Sequence, residues 1–388
     1  MIEKALKGRP RYFGMLIACL VLMGVGAGFY LIQLNKGLMI TGMSRDVSWG
    51  FYIAQFTYMV GVAASAVMLV LPYYFHHYKA YSKMIIMGEF LAIAAVIMCM
   101  GFIFIDMGQP QRIMNVILHP TPNSVMFWDM TVLSGYLVLN ALIGWTTLMA
   151  MWKRVSPPKW VKPLVYLSII WAFSIHTVTA FLYAGLPGRH YWLSAILAAR
   201  FLASAFCSGP AILLLLTLLL KRLTSFDPGK EAVKTLSTTI TYAMCVNVFF
   251  FLLEVFTAYY SNMPQHTDPI TFLFTGLDGQ TYMTPFMWAA AILGLGSLFL
   301  LIPVKWRENR DILVPALIML VIASWLDKGL GLLIGGFTPN PFERVTKYLP
   351  TGSEMMVALM IYATGAFVLT LLWKIALEVR AEVEGTLK

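Results

Sequence analysis

Ten long apolar runs, each near the roughly 20 residues that a bilayer-spanning helix requires, are separated by short polar stretches. They cover residues 12–34, 49–75, 83–106, 125–151, 162–184, 195–220, 238–260, 284–303, 312–334 and 354–377. The runs are continuous, without the period-two alternation of a membrane barrel strand. The pattern predicts an all-α integral membrane protein: ten transmembrane helices forming a single membrane domain over residues 1–388. The first run follows Lys4, Lys7, Arg9 and Arg11, as a secretory signal core would. It exceeds the roughly 7–15 residues of such a core and lacks a small-residue cleavage site, so a retained helix is expected.

The polar positions contain a weak internal repeat. Segments two and six each open on an aromatic cluster, at Trp49 and Trp192. Small residues follow in both: Gly61, Ala63, Ala64 and Ser65 in one, Ala203, Ser204, Ala205 and Ser208 in the other. Segments three and seven each carry a glutamate, Glu89 and Glu254, while segments five and nine carry His176 and Asp327. Two parallel four-helix bundles are therefore expected, segments 2–5 (residues 49–184) and segments 6–9 (residues 195–334), with the first and last helices peripheral.

Composition narrows the class. The chain is 59% apolar and 12% charged, with a mean hydropathy of +0.75, against about 45–50% and about 25% in ordinary soluble domains. A soluble enzyme, a disordered chain and a nucleic-acid-binding chain are excluded. The net charge of +10 reports orientation in the bilayer. With the N-terminus inside, 20 of the 28 Lys and Arg residues flank inner ends, and seven lie outside: Lys36, Arg45, Arg112, Arg189, Arg200, Arg344 and Lys347. Lys328 falls within segment nine. The positive-inside rule then predicts a multi-pass protein of the cytoplasmic (inner) membrane with both termini cytoplasmic. Trp49, Trp128 and Trp192 would form an outer aromatic belt, and Trp152, Trp160, Trp306 and Trp373 an inner one. The outer loops are the longer and richer in proline, a rim suited to a docked partner.

Cofactor motifs are missing. Cys19, Cys99, Cys207 and Cys245 each sit alone in a different segment, with none of the paired spacing of a zinc or iron–sulfur site. Of the six histidines only His176 lies well inside a segment, and His76 and His77 sit at an inner end, so a two-histidine transmembrane haem is not expected. Gly24, Gly26 and Gly28 lack the preceding strand of a dinucleotide fingerprint and are expected to admit a neighbouring helix.

Ionisable groups inside a bilayer are costly and mark function by default. They are Glu89, His176, Glu254, Asp327 and Lys328, with Asp106, Asp129, Arg200 and Glu354 nearer the outer surface. Glu254 and Asp327 lie about 10 Å from their outer helix ends, and His176 about 12 Å, whereas Glu89 is near the inner end. Helical spacing places Asp129, Tyr136 and Asn140 on one face, His176, Thr179 and Tyr183 on another, and Asn247 with Glu254 on a third. Asp327 and Lys328 are adjacent and must find partners on other helices. Such groups suit a quinone pocket, which needs hydrogen-bond donors at two carbonyls, proton-exchanging groups and an apolar slot for the tail. They equally suit a proton-coupled transporter, or interhelical bonds that fix packing.

The local sequence is more specific. Asp106-Met-Gly-Gln-Pro-Gln-Arg112, His119-Pro-Thr-Pro-Asn-Ser-Val-Met-Phe-Trp-Asp129 and Trp49-Gly-Phe-Tyr-Ile-Ala resemble motifs of the NrfD/polysulfide-reductase membrane subunits. His176-Thr-Val-Thr-Ala180 with Gly188-Arg189 and Trp192 is similar to that family's passage from fifth to sixth helix. The resemblance spans all ten segments, and the stretch Arg200 to Pro210 and the length look most like its DsrP branch, linked to dissimilatory sulfite reduction. Gln109 departs from the family, where arginine often stands.

The resemblance implies a menaquinone or ubiquinone site near the outer face, no haem or cluster in this chain, and a periplasmic ferredoxin-like iron–sulfur partner. The DsrP branch further implies a multihaem cytochrome c and a second membrane subunit with a cytoplasmic iron–sulfur subunit. The chain would not be catalytic alone, but would serve a menaquinol-dependent oxidoreductase complex. Candidate quinone-pocket residues are Asp129, His176, Tyr183, Arg200 and Glu254. Glu89, Asp327 and Lys328 are candidates for a proton path, and Asp106 and Arg112 for ordering the outer loop under a partner. The alternatives are a proton-coupled secondary transporter and a passive membrane anchor.

Overall fold

The computed structural model describes residues 1–76 and 78–385; His77 lies outside the described residues. Among the described residues ten helices are long and apolar enough to cross a membrane: α1 Pro10–Ile40, α2 Phe51–Phe75, α3 Ile85–Asp106, α4 Val125–Trp152, α5 Val161–Ala184, α6 Ile196–Leu223, α7 Lys230–Ser261, α8 Thr284–Leu301, α9 Arg310–Gly336 and α10 Gly352–Val383. The protein is a multi-pass integral membrane protein, as the apolar runs predict. Both termini lie at one end, where Lys4 pairs with Glu382; the other is called the far end.

α7 and α10 are among the helices that overrun their apolar runs. α7 starts at Lys230 instead of 238, and α10 continues to Val383 instead of 377. These extensions are polar. Salt bridges Lys374–Glu378 and Arg380–Glu384, one turn apart, support the α10 extension. Thr351 starts α10 with a capping box: its hydroxyl accepts the Glu354 N–H, and the Glu354 carboxylate accepts the Thr351 N–H.

The helices pack as two rings. α2, α3, α4 and α5 follow one another around the first, and α6, α7, α8 and α9 around the second. The seam is made by α2 and α5 against α6, and by α2 against α9. α10 lies on α3 and α4, and α1 lies on α10. Burial follows: 94% of the most apolar stretch of α2 is inside protein, against 11% for α1. A helix apolar on every side, such as α2, belongs in the interior.

Small residues set the seam. An added Cβ on Gly209 of α6 would stand 2.7 Å from the Gly61 carbonyl oxygen of α2. Both helices therefore approach at the small-residue stretches that mark the internal repeat. Of Gly24, Gly26 and Gly28 in α1, only Gly26 admits a neighbour, with an added Cβ 2.5 Å from Met360 Cβ of α10; Gly24 and Gly28 face open space.

The tryptophans correct the belt expectation. Trp128, Trp152, Trp160 and Trp306 are exposed at the rims. Trp192 is buried and donates its indole N–H to the Leu332 carbonyl at 2.8 Å, while Trp373 is buried and donates to the Met87 carbonyl at 3.0 Å. Trp49 stacks on Trp192 at 5.9 Å. Each of these three rings finds an aromatic or carbonyl partner inside the protein that hydropathy cannot reveal.

Candidate functional site

The charged centre of the protein is Arg200. It projects from α6 and is 5% exposed. Nη1 donates to Glu254 of α7, and Nη2 donates to Asp327 Oδ1 of α9 at 2.5 Å. Its guanidinium lies over the Phe251 ring, 5.1 Å from the centroid. Three helices of the second ring are thus tied by one cation. A buried arginine without acids, or either acid without it, would be an uncompensated charge costing about 3–5 kcal/mol. One guanidinium facing two carboxylates leaves the trio one positive charge short.

Asp327 and Lys328 sit on a π-helical turn, Trp325–Gly331, inside α9. A π turn inserts a residue into the helix and re-aims the side chains beside it. Lys328 points away from the trio into the seam. Its Nζ donates to the Phe201 carbonyl of α6 at 3.2 Å and lies 4.5 Å over the Phe201 ring. An added Cβ on Gly61 would meet that Nζ at 3.2 Å, so the glycine leaves room for the ammonium. The adjacent pair does divide between different partners, and Asp327 joins the set containing Arg200 and Glu254.

The first ring holds its polar groups differently. Asp129 of α4 accepts from the Thr179 hydroxyl of α5 at 2.7 Å. His176 Nδ1 bonds the Ala172 carbonyl at 2.8 Å, which requires Nδ1 to carry the proton. Its Nε2 is then an acceptor, and it has no partner among the described residues. The Tyr183 hydroxyl bonds Thr57 of α2. The Tyr183 ring packs against Trp49 at 5.5 Å, Trp192 at 5.0 Å and Phe201 at 5.9 Å. Glu89 is apart, in the half nearer the termini. It is 3% exposed and packed beside Gly144, with Oε2 unpartnered among the described residues.

At the far end, Asp106 is half-buried with one oxygen unpartnered among the described residues, whereas Arg112 is exposed. No hydrogen bond or ion pair joins the two side chains among the described residues. The loops are ordered instead by Glu354, which accepts from the Gly42 N–H and the Tyr348 hydroxyl, each at 2.8 Å. The Tyr348 hydroxyl in turn accepts from Phe51 N–H at 2.6 Å. Burial and the adjacent Glu354 carboxylate push the Tyr348 phenol well up, so it remains a donor. Arg189 donates to the Asp46 carbonyl at 3.1 Å and stacks over Phe337 at 4.4 Å.

A cavity of about 110 Å³ adjoins the trio, between α7, α8 and α9. Asn247, Phe251, Phe274, Ala290, Gly294 and Asp327 are among its lining residues. The helical period pairs Asn247 with Glu254, but nothing local signals that Asn247 faces a cavity. Phe201 and Thr57 likewise carry no local sign of their roles. Among the described residues no group of His, Cys, Asp and Glu is arranged to hold a metal ion.

The fold and site define a polytopic membrane protein with an enclosed cluster of charged side chains in the second of two helical rings. Residues 39–340 match the family model of NrfD, polysulphide reductase, and the chain belongs to that family. It is 25% identical to a putative membrane subunit of a dimethyl sulfoxide reductase from Halobacterium salinarum, over 91% of this chain and 88% of that one. It is 24% identical to a selenate reductase subunit of Mesobacillus selenatarsenatis, over 64% and 65%. It is 23% identical to the Hdr-like menaquinol oxidoreductase integral membrane subunit of Archaeoglobus fulgidus, over 79% and 77%.

Proposed function

We propose that this chain is the quinone-interacting membrane subunit of a respiratory redox complex. It exchanges electrons between menaquinone in the membrane and an iron–sulfur partner docked at the far end. The observation that carries the reading is the set of enclosed ionisable groups in the two rings, above all the Arg200–Glu254–Asp327 trio. His176 brings an unpartnered Nε2 from one ring, Arg200, Glu254 and Asp327 come from the other, and Lys328 lies at the seam against α2 and α6. Family membership and the likeness to the menaquinol oxidoreductase subunit of Archaeoglobus fulgidus support it.

Interconversion of quinone and quinol moves two electrons and two protons, and the chain's own side chains have to handle the protons. Asp327 and Glu254 share Arg200 and can accept a proton between them. His176, held in one tautomer by Ala172, offers an acceptor lone pair. Asp129 and Tyr183 are fixed by Thr179 and Thr57 as further hydrogen-bonding groups. Glu89, in the half nearer the termini, with Lys328 and Asp327 further along, would form a route for proton translocation. In this reading the halves 49–184 and 195–334 divide the work: the first supplies a rigid polar wall and the second supplies the charge.

The finer assignment follows the DsrP-like features. The complex serves dissimilatory sulfite metabolism in the cytoplasmic membrane, and both termini are cytoplasmic. Its partners are a periplasmic ferredoxin-like iron–sulfur protein, a multihaem cytochrome c, and a second membrane subunit with a cytoplasmic iron–sulfur subunit. Asp106 and Arg112 belong to the docking face.

The test is His176→Ala in the intact complex. Loss of quinol-linked electron transfer with normal assembly is the expected result, and normal quinol turnover overturns the assignment. Extraction of quinone from the purified complex distinguishes this reading from a passive anchor, which would retain none.

A further inference from the structure

We infer that the slot between α7, α8 and α9 holds the head group of a quinol entering from the lipid, with Asn247 and Asp327 as its hydrogen-bond partners. The inference rests on the quinone reading and deepens it by locating the ring in the second helical ring.

The slot has a sequence cause. α8 packs closely along α9 but touches α7 only sparsely. Where the three helices face one another, α8 contributes Ala290, Ala291 and Gly294, and α9 contributes Ala323. Small side chains leave a gap that Met244, Phe251 and Phe274 border and do not fill. The cavity, about 110 Å³, is several times what one water molecule needs. Leu252 and Leu295 also line it and are more than half exposed on the membrane-facing side. A ligand dissolved in the bilayer reaches it directly.

The polar atoms inside select the ligand. Asn247 is 8% exposed, yet its Oδ1 has no partner among the described residues. An unpaired buried amide oxygen is an acceptor awaiting a donor. The Asp327 side chain remains 19% exposed, with Oδ1 held by Arg200. Among the described residues no Lys or Arg lines the cavity. Arg200 is engaged by its two acids and overlaid by Phe251. A phosphate or fatty-acid head group would meet a carboxylate and an amide oxygen with no cation to balance it. A neutral head group bearing O–H donors meets two acceptors, and Phe251 and Phe274 supply apolar walls for a flat ring. A quinol has that chemistry. A proton leaving its hydroxyl at Asp327 would arrive at the Arg200–Glu254–Asp327 trio, already one positive charge short.

The experiment uses the intact purified complex in lipid nanodiscs, with a photoreactive azido-naphthoquinone carrying a short isoprenoid tail as the probe. Menaquinone-4 is the competitor, and the readouts are the labelled peptides and the quinone retained per complex. The expected label falls on α7 and α8, is displaced by menaquinone-4, and drops about fivefold or more in Gly294→Leu, which fills the slot. Asn247→Leu should weaken retention by about fivefold to tenfold through the lost acceptor. If Gly294→Leu fails to assemble, Ala291→Phe blocks the same slot from the neighbouring position. Label confined to α4 and α5 and unchanged in the blocked variants overturns the slot and leaves the quinone reading standing. Displacement by phospholipid and not by menaquinone-4 also overturns the slot. No specific label and no retained quinone anywhere in the chain overturns the quinone reading itself.

Discussion

The two helical rings have one plan and opposite interiors. In the first, the polar side chains that find partners bond to neutral groups: Asp129 to Thr179, His176 Nδ1 to a backbone carbonyl, Tyr183 to Thr57. Its α2 is the most enclosed helix of the chain, whereas α7 and α8 of the second ring are largely exposed to the bilayer side. The second ring concentrates full charges on Arg200, Glu254 and Asp327 and leaves a lipid-facing gap beside them. Close packing around neutral hydrogen bonds makes a fixed wall. Charges next to a gap can change protonation as a ligand arrives. The difference teaches that two rings of the same helix order can differ in how they hold polar groups, one through neutral hydrogen bonds and the other through ion pairs beside a gap.

Four substitutions break or sharpen that contrast. Arg200→Leu should have the largest effect, since it leaves two buried carboxylates uncompensated, at a cost of about 3–5 kcal/mol. Membrane-extracted yield and thermal unfolding in detergent would register it, and a wild-type melting curve would mean the trio is not a structural tie. Gly209→Ala should cost about 1–3 kcal/mol, because the added Cβ meets backbone at the seam and the rings must separate. Thr179→Val should cost about 1–2 kcal/mol by taking the hydroxyl donor from Asp129, a neutral-partner loss smaller than the loss of Arg200. Gly24→Ala in α1 should have the smallest effect, a stabilisation of at most about 1 kcal/mol, because nothing lies within 4 Å of the new methyl group and alanine is the better helix former. If Thr179→Val proved as damaging as Arg200→Leu, the division into a neutral and a charged ring would fail.

Much of the fold was legible because hydropathy is local and the bilayer sets a length. The ten spans agree with the apolar runs, with ends shifted where polar helix extends beyond the hydrocarbon, as at Lys230 and Val383. The small residues at Gly61 and Ser208, read from the sequence only as signs of a repeat, lie where α2 and α6 meet. The site was legible only in part. Periodicity put His176, Thr179 and Tyr183 on one face, and all three are buried together on α5. It carried no sign that Trp192 is interior, that Asp327 belongs with Arg200, or that Lys328 turns the other way. Those outcomes depend on the partner helix and on a π turn, and neither leaves a local period.

The sequence by itself determined that this chain crosses the membrane ten times, which residues carry ionisable groups into it, and which family motifs it bears. Each follows from the composition of a continuous stretch. Only the tertiary structure decided which charges meet, which aromatic rings are enclosed, and where the packing leaves a gap. Arg200, Glu254 and Asp327 stand on three helices separated by up to 127 positions. Their meeting is set by how α6, α7 and α9 pack around the seam, because a buried charge is tolerable only where another helix supplies its counter-charge.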